Sequence, residues 1–79
     1  MTRDFYVSLR RGEGKKARTA LLAGPFATHG AALSLVDRAR REASRLDAWT
    51  DFDACGTLSV PRDPANPKGK LNSLLGVAP

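Results

Sequence analysis

The chain has 79 residues, of which 42% are hydrophobic and 27% charged, and its 13 Lys and Arg against 8 Asp and Glu give a net charge of +5. That length holds one domain with a small core, for which dimerisation is the remaining route to extra burial. A single Cys and a single His exclude a disulfide scaffold and the cysteine-based zinc patterns, and no stretch is apolar enough for a leader or a membrane span. The expectation is a cytoplasmic protein with no metal, no cofactor and no membrane partner.

Residues 4–11 alternate. Phe5, Val7 and Leu9 point one way, and Tyr6, Ser8 and Arg10 the other, which predicts a half-buried strand. Gly12-Glu13-Gly14-Lys15-Lys16 supplies the positive φ of a hairpin loop. Residues 17–23 are the partner strand, whose inward face stays open because Ala20/Leu22 and Leu21/Ala23 are both apolar pairs. Gly24-Pro25 ends it. From Thr28 to Asp47 the residues Ala32, Leu35, Val36, Ala39, Ala43 and Leu46 fall on one stripe, as an amphipathic helix packed on one side requires. Thr28 stands at its N-cap. Residues 50–60 alternate again, with Gly56 marking a bulge or a close backbone approach.

The fold class is therefore α+β: a β-β-α-β unit, with a three-stranded antiparallel sheet in the order 2-1-3 and one helix packed on one face. Residues 1–60 form this single domain. Phe5, Val7, Leu9, Phe52, Ala54 and Leu58 are expected to face the helical stripe, with Leu35 and Ala39 buried against Phe5, Val7 and Phe52. Tyr6, Ser8, Arg10, Asp51, Asp53 and Thr57 are expected on a polar outer face. Residues 61–79, rich in proline, read as an extended and mostly disordered tail. Within it Leu71, Leu74 and Leu75 have one-turn helical spacing and make an apolar island for a partner.

The chemistry lies in the charge. Arg10, Arg11, Lys15, Lys16 and Arg18 crowd the hairpin, and Arg41 and Arg45 lie on the outer face of the helix. The 2-1-3 order puts the helix C-terminus and the hairpin tip at one end of the sheet. Arg11, Lys15, Lys16, Arg41 and Arg45 would then make one patch for the phosphates of nucleic acid. No catalytic constellation is visible. His29 has no cysteine or acid at helical spacing before Asp37, Asp51 and Asp53 are two exposed acids, Cys55 reads as packed against neighbours or partly exposed and not as a nucleophile, and the hairpin lacks the spacing of a P-loop. The reading is a non-enzymatic binding module for nucleic acid. The alternative is a protein-interaction adaptor that uses the tail (Leu71, Leu74, Leu75) or a sheet edge.

Residues Leu21 to Val36, through Gly24, Pro25, Phe26, Ala31 and Ala32, resemble one half of a SPOR domain: a strand, Gly-Pro-Phe, a short polar link and an alanine-rich helix. That family has two such halves, acts outside the cytoplasmic membrane, and binds septal peptidoglycan stripped of stem peptides through its sheet. The resemblance, over about a quarter of this one-helix chain, implies glycan binding as a further alternative.

Overall fold

The structure, a computed structural model, describes residues 2–77. Strand β1 (Arg3–Arg11) is central, with β2 (Arg18–Phe26) and β3 (Ala54–Pro61) antiparallel on either side, so the sheet order is β2-β1-β3. Gly12 and Gly14 turn the hairpin with φ of +87° and +61°, and Gly14–Lys16 closes it as a 3-10 turn.

The two apolar pairings of β2 are both used. Its register against β1 shifts twice, so that Ala23 is opposite Val7 while Leu21 is opposite Ser8. At this bulge Leu22 and Ala23 are both buried in the core cluster. No such irregularity occurs at Gly56, which pairs regularly with Ser8. Gly24 and Pro25 lie inside β2 rather than ending it. At Gly24 φ is +126°, and a Cβ there would come within 2.8 Å of the Phe5 carbonyl oxygen.

The single helix expected over 28–47 is two. Helix α1 (His29–Leu33) begins where the Thr28 hydroxyl accepts a hydrogen bond from the Ala31 N–H (3.2 Å). It stops because the backbone tightens: Leu35 N–H bonds the Ala32 carbonyl three residues back (3.1 Å), and the Ser34 hydroxyl donates to the Ala31 carbonyl (2.8 Å). Helix α2 (Val36–Leu46) then lays Ala39 and Ala43 on the sheet. Leu35 and Val36 are half-buried there, whereas Leu46, placed on the stripe by periodicity, is exposed. Alanines at the contact let the helix backbone come close to the sheet.

Strand β3 faces the other way from its expected phase. Cys55, Thr57 and Ser59 are opposite Leu9, Val7 and Phe5 and so share the helix-covered face; Nε2 of His29 in α1 reaches the Thr57 hydroxyl at 3.1 Å. Ala54 and Leu58 are opposite Arg10 and Tyr6 and lie on the far face. The reason is local. Residues Ala48–Phe52 are a 3-10 turn rather than the start of the strand, so Phe52 sits outside the alternation that it was used to phase. A one-residue change of phase moves every side chain to the opposite face. Phe52 is consequently not part of the core.

The segment after Pro61 is the largest correction. It is packed, not a disordered tail. Tyr6, expected on a polar outer face, is fully buried, and its hydroxyl donates to the Pro67 carbonyl (2.7 Å). Asp4, on the same face, accepts from Arg62 Nε (3.0 Å) and Asn66 Nδ2 (2.9 Å). The chain then turns over the edge of β2. N–H groups of Gly69, Lys70 and Leu71 donate to the carbonyls of Gly24, Leu21 and Leu22. Glycine is required at 69, where a Cβ would lie 2.4 Å from the Ala23 Cα. Helix α3 (Asn72–Leu75) follows on the helix-covered side. Asn72 is buried and bonds both the N–H (2.9 Å) and the carbonyl (2.6 Å) of Gly24. Leu71 and Leu75, expected to await a partner, complete the core with Val7, Leu9, Leu22, Ala39 and Ala43. A core that is small over 60 residues is thus finished by the next 17. Ala78 and Pro79 lie outside the described residues.

Candidate nucleic-acid interface

At the hairpin end of the sheet the arrangement is different. The turn Ala48–Phe52 joins α2 to β3 and is held by polar groups. Asp47 accepts from the Trp49 N–H at 3.0 Å, Thr50 is buried with its hydroxyl 3.5 Å from the Ala43 carbonyl, and Asp53 N–H bonds the Thr50 carbonyl (3.0 Å). The Ser44 hydroxyl donates to Asp51 (2.7 Å). From the hairpin, Arg11 binds Asp53 through Nε and Nη2 (2.7 Å at the shortest) and reaches Asp47 at 3.2 Å. The Trp49 N–H, and after it Arg11, hold the Asp47 carboxyl below the usual carboxylate range. These bonds place the C-terminus of α2 beside the base of the hairpin, at the shared end that the strand order requires.

The expected patch is only partly assembled there. Arg11 is committed to Asp53 and Asp47, and Arg45 to Glu42 (2.8 Å). Arg41 shares an open concavity with Asp37, Arg40, Ser44 and Asp51. Lys15 and Lys16 are exposed on the hairpin turn, and no hydrogen bond or ion pair among the described residues joins them to Arg41 or Arg45. Arg10 and Arg18, flanking the same turn, are exposed as well and take part in no ion pair among the described residues. Four cations at the hairpin end, Arg10, Lys15, Lys16 and Arg18, therefore have no ion-pair partner among the described residues, with Glu13 the one acid of the turn.

Trp49 and Phe52, the second of them expected in the strand, stand out at this end. They are 70% and 82% exposed, with ring centroids 5.8 Å apart and planes tilted by 47°. The signal that could have separated them from β3 is Asp47, whose side chain caps the N–H two residues on and starts a turn.

The remaining candidates are structural. His29 meets Thr57 and packs edge-on to Phe5, centroids 6.0 Å apart. Cys55 is half-buried; burial, with a smaller push from Asp37 against the pull of Arg40, raises its thiol above the usual value, which leaves little thiolate. Asp51 and Asp53 are tied to Ser44 and Arg11. Among the described residues no three His, Cys, Asp or Glu side chains gather as metal ligands would, and no helix is long and apolar enough to cross a membrane. Of the apolar island, Leu74 alone of its three leucines is exposed. No family model, curated protein or solved structure matches this chain.

Proposed function

We propose that this protein is a small non-enzymatic binding module that grips the phosphate backbone of nucleic acid with the hairpin end of its sheet. One observation carries the reading: the hairpin turn and the strand ends that flank it concentrate Arg10, Lys15, Lys16 and Arg18, without ion-pair partners among the described residues, against the single acid Glu13, whereas Arg11, Arg45 and Arg62 are paired within the chain. Cations without internal partners pay no cost of broken ion pairs when they meet phosphate, and each contact releases a condensed counterion. Arg40 and Arg41 of α2 share their concavity with Asp37 and Asp51, so that face adds no net positive charge to the hairpin. Phosphate contacts of this kind carry no sequence information. Binding is then of the non-specific class, with Kd of ~10⁻⁴–10⁻⁶ M at physiological salt and a steep fall as salt rises. Fluorescence anisotropy of labelled DNA and RNA at two salt concentrations tests it, with the double reversal Lys15→Glu/Lys16→Glu as the control. Absence of binding at low salt, or equal binding by the reversed variant, removes this reading.

A second reading rests on β3. From Ala54 to Val60 that strand carries no charged residue, and its outer edge has no backbone partner among the described residues; there the Arg3 guanidinium meets the Ser59 carbonyl at 3.1 Å. An uncharged edge strand is a template for strand addition by a protein partner. The adaptor alternative therefore moves from the tail to this edge, and a lysine at Leu58, exposed on the strand, tests it by loss of the partner. Glycan binding of the SPOR kind, implied by the resemblance of residues 21–36, is tested by co-sedimentation with peptidoglycan stripped of stem peptides.

A further inference from the structure

The turn Ala48–Phe52 is held by hydrogen bonds of its polar groups, and it carries two of the largest apolar side chains in the protein into solvent. Trp49 and Phe52 are not in the core cluster. Their exposure is therefore not a by-product of packing: the backbone is fixed by Asp47, Thr50, Asp53 and Ser44, and the two rings are displayed on it. Phe52 lines an open cleft with Arg10, Gly12, Glu13, Gly14 and Ala54, while Trp49 and Phe52 together line a second with Arg11, Gly12 and Asp53. Both clefts are floored in part by Gly12, which has no side chain to block approach. The first is lined by Arg10 and Glu13 of the hairpin, and the second by Arg11 with its partner Asp53.

Exposed rings next to a cationic turn match the two parts of an unpaired nucleotide. A base has an apolar face that stacks on an aromatic ring, and the phosphate that follows it is an anion. In a duplex the base faces are already stacked and cannot reach Trp49 or Phe52. The rings are tilted by 47° and only 5.8 Å apart, so a base does not slide between them; each ring offers its outer face. Charge complementarity favours this occupant over an apolar protein surface, because residues 10–18, which line part of both clefts, carry Arg10, Arg11, Lys15, Lys16 and Arg18 against the single acid Glu13.

We propose that Trp49 and Phe52 form a stacking site for unpaired bases of single-stranded nucleic acid. The proposal rests on the phosphate-binding reading of the hairpin and adds to it a preference for single strands that charge alone does not produce.

Trp49 is the only tryptophan, so intrinsic fluorescence of the full chain reports on this site directly. The titrants are a thymidine oligonucleotide of ~12 nucleotides, within the span that such surfaces cover, an abasic strand of the same length, and a duplex, all at low salt. The expected result is saturable quenching by the base-bearing strand and little by the abasic strand. Anisotropy with labelled strands then compares variants: Trp49→Ala and Phe52→Ala should each weaken single-strand binding by roughly 5- to 100-fold and leave duplex binding unchanged. Both rings lie outside the core, so the variants should melt where the parent does. Equal affinity for the abasic and base-bearing strands, or single-strand binding unaffected by Trp49→Ala and Phe52→Ala, overturns the stacking site and leaves the phosphate reading standing. Failure of every strand to bind at low salt overturns both.

Discussion

The two ends of this small sheet are built on opposite terms. At the end where Pro61 leaves β3, polar groups find partners inside the chain: Asp4 with Arg62 and Asn66, Tyr6 with Pro67, Asn72 with both backbone groups of Gly24. Of the leucines of the closing segment, Leu71 and Leu75 are in the core and Leu74 is exposed. At the hairpin end the polar groups that are paired serve to hold a turn. The cations Arg10, Lys15, Lys16 and Arg18 and the rings of Trp49 and Phe52 remain available. Stability is concentrated where the chain closes on itself, and surface chemistry is presented where it does not. A protein this small needs such a division, since groups that bind a partner contribute little to its own core.

That contrast can be broken most sharply at the core contact of the closing segment. Leu71→Ala should cost ~2–5 kcal/mol, as large-to-small changes in a packed core do, a large share of what so small a domain possesses. A shift of the urea midpoint reads it, and loss of cooperative unfolding in the variant counts as the same outcome. An unchanged midpoint would place 62–77 off the domain. Of similar size is Asn72→Ala, which strands the Gly24 N–H and carbonyl in a buried position at ~1–3 kcal/mol for each unsatisfied group. The Asn72→Asp variant restores the acceptor for the N–H but not the donor for the carbonyl, and should remain destabilised.

Acid sharpens the comparison. The hydrogen bond from Asn66, and then Arg62, keep the Asp4 carboxyl below its usual range against the cost of burial. A depressed native pKa means that Asp4 stabilises the fold fully above the ordinary carboxylate value of about 4. That contribution is lost as pH falls through the depressed native value. The parent should therefore lose stability on going from pH 7 to acid, and Asp4→Asn should be weaker at pH 7 but lose less over the same interval. Urea midpoints at the two pH values decide it; identical acid slopes in both proteins would rule out the Asp4 clamp as a source. Burial, with Asp4 nearby, raises the Tyr6 phenol above its usual value, so the corresponding loss at the alkaline side comes as pH rises through that native value. The smallest effect is expected at the other end. Lys15→Glu/Lys16→Glu should change stability by no more than ~0.5 kcal/mol, since neither lysine is paired or buried. A larger loss would give the hairpin tip a structural role.

What could be read from the chain alone follows the range of the interactions. The strand order, the alternation of Phe5, Val7 and Leu9, the glycine hairpin and the Thr28 cap depend on residues close in sequence or on simple periodicity, and the structure has them. The closing segment depends on pairs such as Asn72–Gly24, 48 residues apart. Its prolines and polar side chains looked unable to bury enough surface because the groups that cover them, Tyr6 and the edge of β2, lie elsewhere in the chain. The phase of β3 was lost at Phe52, which continues the alternation of the strand without belonging to it. Small side chains at Cys55, Thr57 and Ser59 give no hydrophobic signal, yet they suit a face on which two helices lie close. The same alternation conceals that Phe52 belongs to a turn, while the hairpin cations, a local cluster, are legible in the sequence. Arg11 and Arg45 were legible as charges but not as charges already paired.

The central claim is that the hairpin end is the binding surface and the closed end is not. Amide chemical-shift mapping of the full chain, titrated with a single-stranded oligonucleotide at low salt, tests it most directly. The account predicts the largest shifts over residues 10–18 and 48–53, with 62–77 and their partners on β2 unmoved. Largest shifts along 54–60 or over 62–77, or no shifts at all, would contradict it.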